Sequence, residues 1–170
     1  MPDCQVDIPV QGDLRRKHLQ LKRLGGRFLI RHLNSRESGS NDSDAWDLLD
    51  DGQSIELQHG VGLRFLQTHP LGNSARLEFT SRHRTEPWSD AILLMGDALL
   101  LGPDKSNHIV CSGWAQKVVI FRKGNEIYLR AAGTLDVNGS THSGDVLLQD
   151  KVRVVGGEFA ISCEEVRGFQ

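Results

Sequence analysis

The sequence predicts an all-β protein, a sandwich or barrel of short strands. Three observations carry this. Short runs alternate apolar and polar residues with period two, most cleanly in Ala75-Arg76-Leu77-Glu78-Phe79-Thr80. Glycine- and asparagine-rich turn signals separate the runs: Gly25-Gly26, Asp50-Asp51-Gly52, Gly96-Asp97, Lys123-Gly124-Asn125, Asn138-Gly139 and Gly156-Gly157. No stretch carries a long helical repeat. The helix-period pattern in Ala45 to Leu49 is too short to hold a helix.

The elements follow in order. Val6 to Val10 reads as a short strand, with Pro9 marking an edge. His18 to Leu24 and Arg27 to Arg31 form a hairpin around Gly25-Gly26. Residues 34 to 47 are a long polar loop. Ser54 to Leu57 and Val61 to Gln67 make a hairpin around His59-Gly60. His69-Pro70-Leu71-Gly72-Asn73 breaks the pattern and sets a module boundary, giving lobes at residues 1–70 and 75–170. In the second, Ala91 to Met95 and Ala98 to Leu101 flank a hairpin turn at Gly96-Asp97. His108 to Cys111, Lys117 to Arg122, Glu126 to Arg130 and the strands from Leu147 to Cys163 complete it.

Composition bounds the function. The 170 residues hold one ordinary domain or two small ones, with 38% hydrophobic and 25% charged content. A net charge of −2 argues against a dedicated nucleic-acid binder. No apolar run is long enough to span a membrane, and Met1-Pro2-Asp3-Cys4 opens no signal peptide. The three cysteines, Cys4, Cys111 and Cys163, are widely spaced and read as reduced thiols of a cytoplasmic protein.

The chain also matches itself at an offset of 99 residues, Leu21 falling on Ile120. Arg23, Gly25, Phe28, Ile30 and Arg31 fall on Arg122, Gly124, Ile127, Leu129 and Arg130. Leu48, Leu49 and Asp51 fall on Leu147, Leu148 and Asp150. This predicts an internal tandem repeat. The second copy has a long stretch, Ala75 to Gly102, ahead of its matched part. The first has almost nothing there, so it lacks its opening strands and would expose an edge.

Leu99-Leu100-Leu101-Gly102, Ser106-Asn107-His108-Ile109-Val110, Val137-Asn138-Gly139 and Leu147 to Val154 resemble a forkhead-associated (FHA) domain. The Ala75 to Gln170 region also resembles tandem FHA-like bacterial proteins, where a His-Pro-Leu junction leads into an Arg-Leu-Glu-Phe strand. The resemblance implies FHA-like β-sandwiches whose loops bind phosphothreonine peptides. It assigns peptide binding to Asn138 and Gly139, and to Lys105 and Ser106 in the family's peptide-binding loop. In the first copy, Asp13-Leu14-Arg15-Arg16-Lys17-His18 resembles the family's Asp-Leu-Ser-Arg-x-His, which keeps Arg16 and His18. The departures are as informative. Pro103 stands where the family's phosphate-binding arginine follows the glycine. Proline has neither a cation nor an N–H, so no bidentate phosphate contact forms there. The family's serine and histidine fall near Trp114 and Lys117. The first copy has Arg15 for the serine and Gly39-Ser40 for the Asn-Gly. The phosphothreonine pocket is therefore expected to be degenerate.

Each candidate has a plain structural alternative. Asn138-Gly139 is also a hairpin turn. His18 reads as a loop brace as well as a ligand. Lys22, Arg23, Arg27 and Arg31 join Arg15 to His18 in a basic cluster, either a solvated face or an attractor of acidic partners. Ser81-Arg82-His83-Arg84 is a basic loop, and Trp88 and Trp114 read as core anchors. No phosphate loop, metalloprotease or hydrolase motif is present, and no histidine pair has helical ligand spacing. The expectation is a non-catalytic module without cofactor or metal that binds a protein or phosphothreonine peptide, and neither nucleic acid nor membrane. The alternatives are a structural, self-associating module with no phosphate dependence and, behind it, a hydrolase with an unrecognised site.

Overall fold

A computed structural model describes residues 7–12, 19–33, 45–68 and 72–166. All regular structure in them is β, apart from one 3-10 turn at Gln58–Gly60. No described helix is long and apolar enough to cross a membrane.

The chain divides into two compact units. The first holds the described residues up to Gln67 together with Arg76–Ile92, and the second holds Leu93–Val166 with the described residues of Thr68–Ala75. In the first unit β1 (Leu19–Leu24), β2 (Arg27–His32) and β3 (Asp47–Leu48) form one sheet. A second sheet, most of whose residues belong to this unit, runs in the order β4 (Ser54–Glu56), β5 (Gly62–Leu66), β6 (Ala75–Phe79) and β7 (Ala91–Leu94). Alternation turns Phe28 and Ile30 of one sheet and Ile55, Leu63, Phe65 and Leu77 of the other inward, all buried. The Phe28 and Phe65 rings meet at 5.4 Å, tilted as aromatic pairs prefer.

The second unit is also a two-sheet sandwich. Its five-stranded sheet runs β14 (Val146–Leu147), β11 (Glu126–Arg130), β10 (Val118–Lys123), β8 (Ala98–Gly102), β9 (Ile109–Val110). Its four-stranded sheet runs β13 (Ser140–Ser143), β12 (Thr134–Val137), β15 (Arg153–Val155), β16 (Ala160–Ser162). Leu99, Leu101, Val118, Leu129 and Val146 pack on Leu135, Val154 and Phe159 to form its core. The expected all-β sandwich is what the chain forms.

Two expectations need correction. The division does not fall at residues 69–73: Arg76–Ile92 belongs with the first unit because β6 pairs with β5, Phe65 opposite Leu77. Nor is Gly96-Asp97 a hairpin turn. β7 and β8 lie in different sheets, so these residues link two sheets and close no hairpin. Buried Ser74 holds this link: its hydroxyl accepts the Gly96 N–H at 2.9 Å and donates to the Ala98 carbonyl at 2.6 Å.

The offset of 99 residues reappears in the hydrogen bonds. Leu21 pairs with Ile30 as Ile120 pairs with Leu129, and Leu29 pairs with Leu48 as Tyr128 pairs with Leu147. Leu49 N–H donates to the Phe28 carbonyl as Leu148 does to Ile127. Phe65 and Cys163 donate to Gln53 and Val152. The Asp51 carboxylate takes the Gln67 N–H at 2.8 Å, and Asp150 takes that of Glu165 at 2.9 Å. The β4–β5 pair thus matches the β15–β16 pair, the later turn being one residue shorter.

Candidate functional site

Leu101 pairs with Val118 and Val119 with Arg130, so Gly102, Val118 and Arg130 mark one end of the five-stranded sheet. The β8–β9 loop, the β10 approach and the Ala131–Gly133 step into β12 all lie at this end. The β15–β16 turn returns to it. There the Ala115 N–H donates to Glu158, and the Trp114 ring packs 5.2 Å from Phe159. Trp114 is thus a core anchor, whereas Trp88 is 64% exposed.

The β8–β9 loop departs from β8 through Gly102, whose φ of +154° suits only glycine. A Cβ there would stand 3.0 Å from Asn107 Nδ2 and 3.2 Å from Lys117 Cα. Asn107 donates its N–H to the Asp104 carbonyl at 3.0 Å and closes a turn that holds Lys105 and Ser106 in solvent. Asn107 and His108 are buried beneath them, and the Leu100 N–H donates to His108 Nδ1 at 3.0 Å. His108 and Asn107 are the loop's structural residues, which the sequence signals only by an apolar strand following directly. Pro103 is half-buried. Lys117 is tied to Asp104 at 2.7 Å. This end of the unit therefore carries Lys105, Lys117 and Arg130 against Asp104, Asp145 and Glu158. A phosphate there meets charges of both signs, and the Ala131-Ala132-Gly133 step adds no polar side chain.

Asn138 and Gly139 are elsewhere. β12 runs away from this end, and its four residues span about 10 Å. Asn138-Gly139 turns the β12–β13 hairpin at the far side, with φ of 50° and 84°. The Asn138 Oδ1 accepts the Arg153 N–H at 2.8 Å, and its own N–H donates to the Arg153 carbonyl at 3.0 Å. The Asp136 carboxylate caps the Gly139 N–H at 2.9 Å. The structure therefore does not bring Asn138 and Gly139 together with Lys105 and Ser106, because the hairpin turn must sit at the end of its own strand. Arg16 and His18 lie outside the described residues.

Of the basic cluster, Lys22, Arg27 and Arg31 share one face of the β1–β2 hairpin and Arg23 takes the other. Lys22 Nζ lies 3.9 Å above the Trp46 ring and the Arg31 guanidinium 4.8 Å from it. Sequence reasoning missed Trp46. Its one signal is the 99-residue offset, which sets it opposite Asp145. There Arg130 makes a bidentate pair with Asp145, at 2.6 and 2.7 Å, and stands 4.8 Å from the Phe121 ring. The Arg130 hydrogen bonds hold the Asp145 carboxyl below the usual carboxylate range.

The Ser81–His83 loop is internally occupied. Ser81 Oγ accepts the Gly62 N–H at 3.2 Å and meets His83 Nδ1 at 2.9 Å, while Arg84 donates to the Ser81 and His83 carbonyls. Among the described residues, no three His, Cys, Asp or Glu side chains gather where they could hold a metal.

No family model, curated protein or solved structure matches this chain. What the site can do therefore rests on its geometry. The end at Lys105 and Ser106 presents the exposed Lys105 cation, exposed hydroxyls at Ser106 and Ser112, and exposed loop backbone.

Proposed function

We propose that the chain is a non-catalytic protein-interaction module, built on FHA-like sandwiches whose phosphothreonine pocket has been dismantled. One observation carries this reading: Asn138-Gly139 and Lys105-Ser106, which the resemblance assigns to one recognition set, stand at opposite ends of β12. Pro103 and the Asp104 carboxylate beside Lys117 support it, since both oppose a phosphate at the remaining loop. A segment held there is held through backbone and hydroxyl contacts with no dependence on phosphate. Free Cys111 and Cys163 fit a reducing, cytoplasmic setting.

The test is titration with a degenerate phosphothreonine peptide library beside its unphosphorylated twin. The reading expects affinities equal to within about twofold, ~0.4 kcal/mol. A phosphate-dependent gain of about tenfold or more, ~1.4 kcal/mol, that falls with Lys105→Ala would overturn it. A second reading, an assembly module, is favoured by a single feature: among the described residues, β16 ends its sheet with no further strand beside it.

A further inference from the structure

We infer that the outer edge of β16 is a docking site for an extended strand of a partner protein, one with the pattern of β6: apolar residues at alternate positions and a basic residue between the first two. The inference is independent of the Lys105 loop and rests on the equivalence of β5 and β16. Both strands close the same arrangement. Phe65 and Cys163 bond inward to Gln53 and Val152, and Asp51 and Asp150 cap the N–H two residues further on. The positions that alternate with these point their backbone groups outward. On β5 they are Gly62, Arg64 and Leu66, and β6 covers them: the Thr80 N–H donates to the Gly62 carbonyl, Arg64 stands opposite Glu78 and Leu66 opposite Arg76. On β16 and its continuation they are Ala160, Ser162 and Glu164, all exposed.

The apolar face shows the same deficit. Leu63 and Phe65 are buried beside β6, whereas their counterparts Ile161 and Cys163 are only half-buried and Val166 is 58% exposed. The described chain holds two such edges and only one β6–β7 hairpin, which β5 occupies. An equivalent strand for β16 is therefore supplied from outside the described residues, and the source assigned to it is a partner protein. Charge selects its chemistry. Where β5 has Leu66 opposite Arg76, β16 has Glu164, with Glu165 next to it. A β6-like strand in the β5 register sets its basic residue against Glu164, an opposite-charge cross-strand pair, while main-chain bonds supply the attachment.

The experiment titrates the full chain with a fluorescein-labelled peptide of residues 73–81, read by anisotropy. Saturable binding is expected. Ser162→Pro removes an outward N–H at a position where an edge strand tolerates proline, and should weaken binding at least about tenfold. A peptide carrying Arg76→Glu should bind about tenfold more weakly, and Glu164→Lys in the chain should restore it while weakening the original peptide. Absence of saturable binding overturns the proposal. So does binding indifferent to both Ser162→Pro and the charge exchange. A concentration-dependent dimer of the chain that Ser162→Pro abolishes would also overturn it, placing a second copy on the edge.

Discussion

Asn138 does its work through a bond that the sequence does not show. Its positive φ is legible, because Asn-Gly at the close of an alternating run demands a tight turn. Its partner, the Arg153 N–H, lies on a strand that only folding brings alongside. Asn138→Ala should therefore lower unfolding free energy by about 1–2 kcal/mol in urea titrations, from the lost bond and the left-handed backbone, and leave peptide binding unchanged. A stability-neutral Asn138→Ala that weakens peptide binding would restore it to the binding site. Cys163 offers a pH test. Burial pushes its thiol up from the ordinary cysteine range. The thiolate is the reactive form, so alkylation of Cys163 in the folded chain should rise with pH through a midpoint above that of the same cysteine in urea. Coincident midpoints would show an unburied thiol. Trp114 and Trp88 show the limit of reading single residues. Both look like core anchors in polar loops, but only Trp114 has a ring, that of Phe159, close enough to bury it.

At the scale of elements, the strands were largely legible and their partners were not. Period-two runs and glycine turns mark β1, β2, β6, β10 and β11, because alternation is a local property of the chain. Which sheet a strand joins depends on distant residues. Ser74 holds the Gly96-Asp97 link through bonds to Gly96 and Ala98 that no local pattern announces. The β8–β9 loop is a second case. Gly102 opens it with a backbone angle that only glycine adopts easily, against the Asn107 side chain and the Lys117 backbone. Gly102→Ala should destabilise the second unit by about 1–3 kcal/mol, measured as loss of amide protection in β8 and β10. Unchanged protection there would mean that the loop relaxes without strain.

At the scale of the whole chain, composition and turn spacing were sufficient for an all-β sandwich, and the offset of 99 residues is visible in both sequence and hydrogen bonds. The assignment of Ala75 to Phe79 was not legible. Its sequence reads as the opening of the second lobe, yet β6 pairs with β5, because Leu77 and Phe79 meet Phe65 and Leu63 across the ladder. That placement completes the first unit and leaves the edge of β16 open, and the inferred docking site depends on it. Hydrogen exchange of Leu77→Ala is the most direct measurement. Leu77 is buried, and its truncation should cost about 2–5 kcal/mol wherever β6 packs. Amide protection should fall in β4 and β5 and stay unchanged in β15 and β16. Protection lost from β15 and β16, with β4 and β5 unaffected, would contradict that placement and assign the hairpin to the second unit.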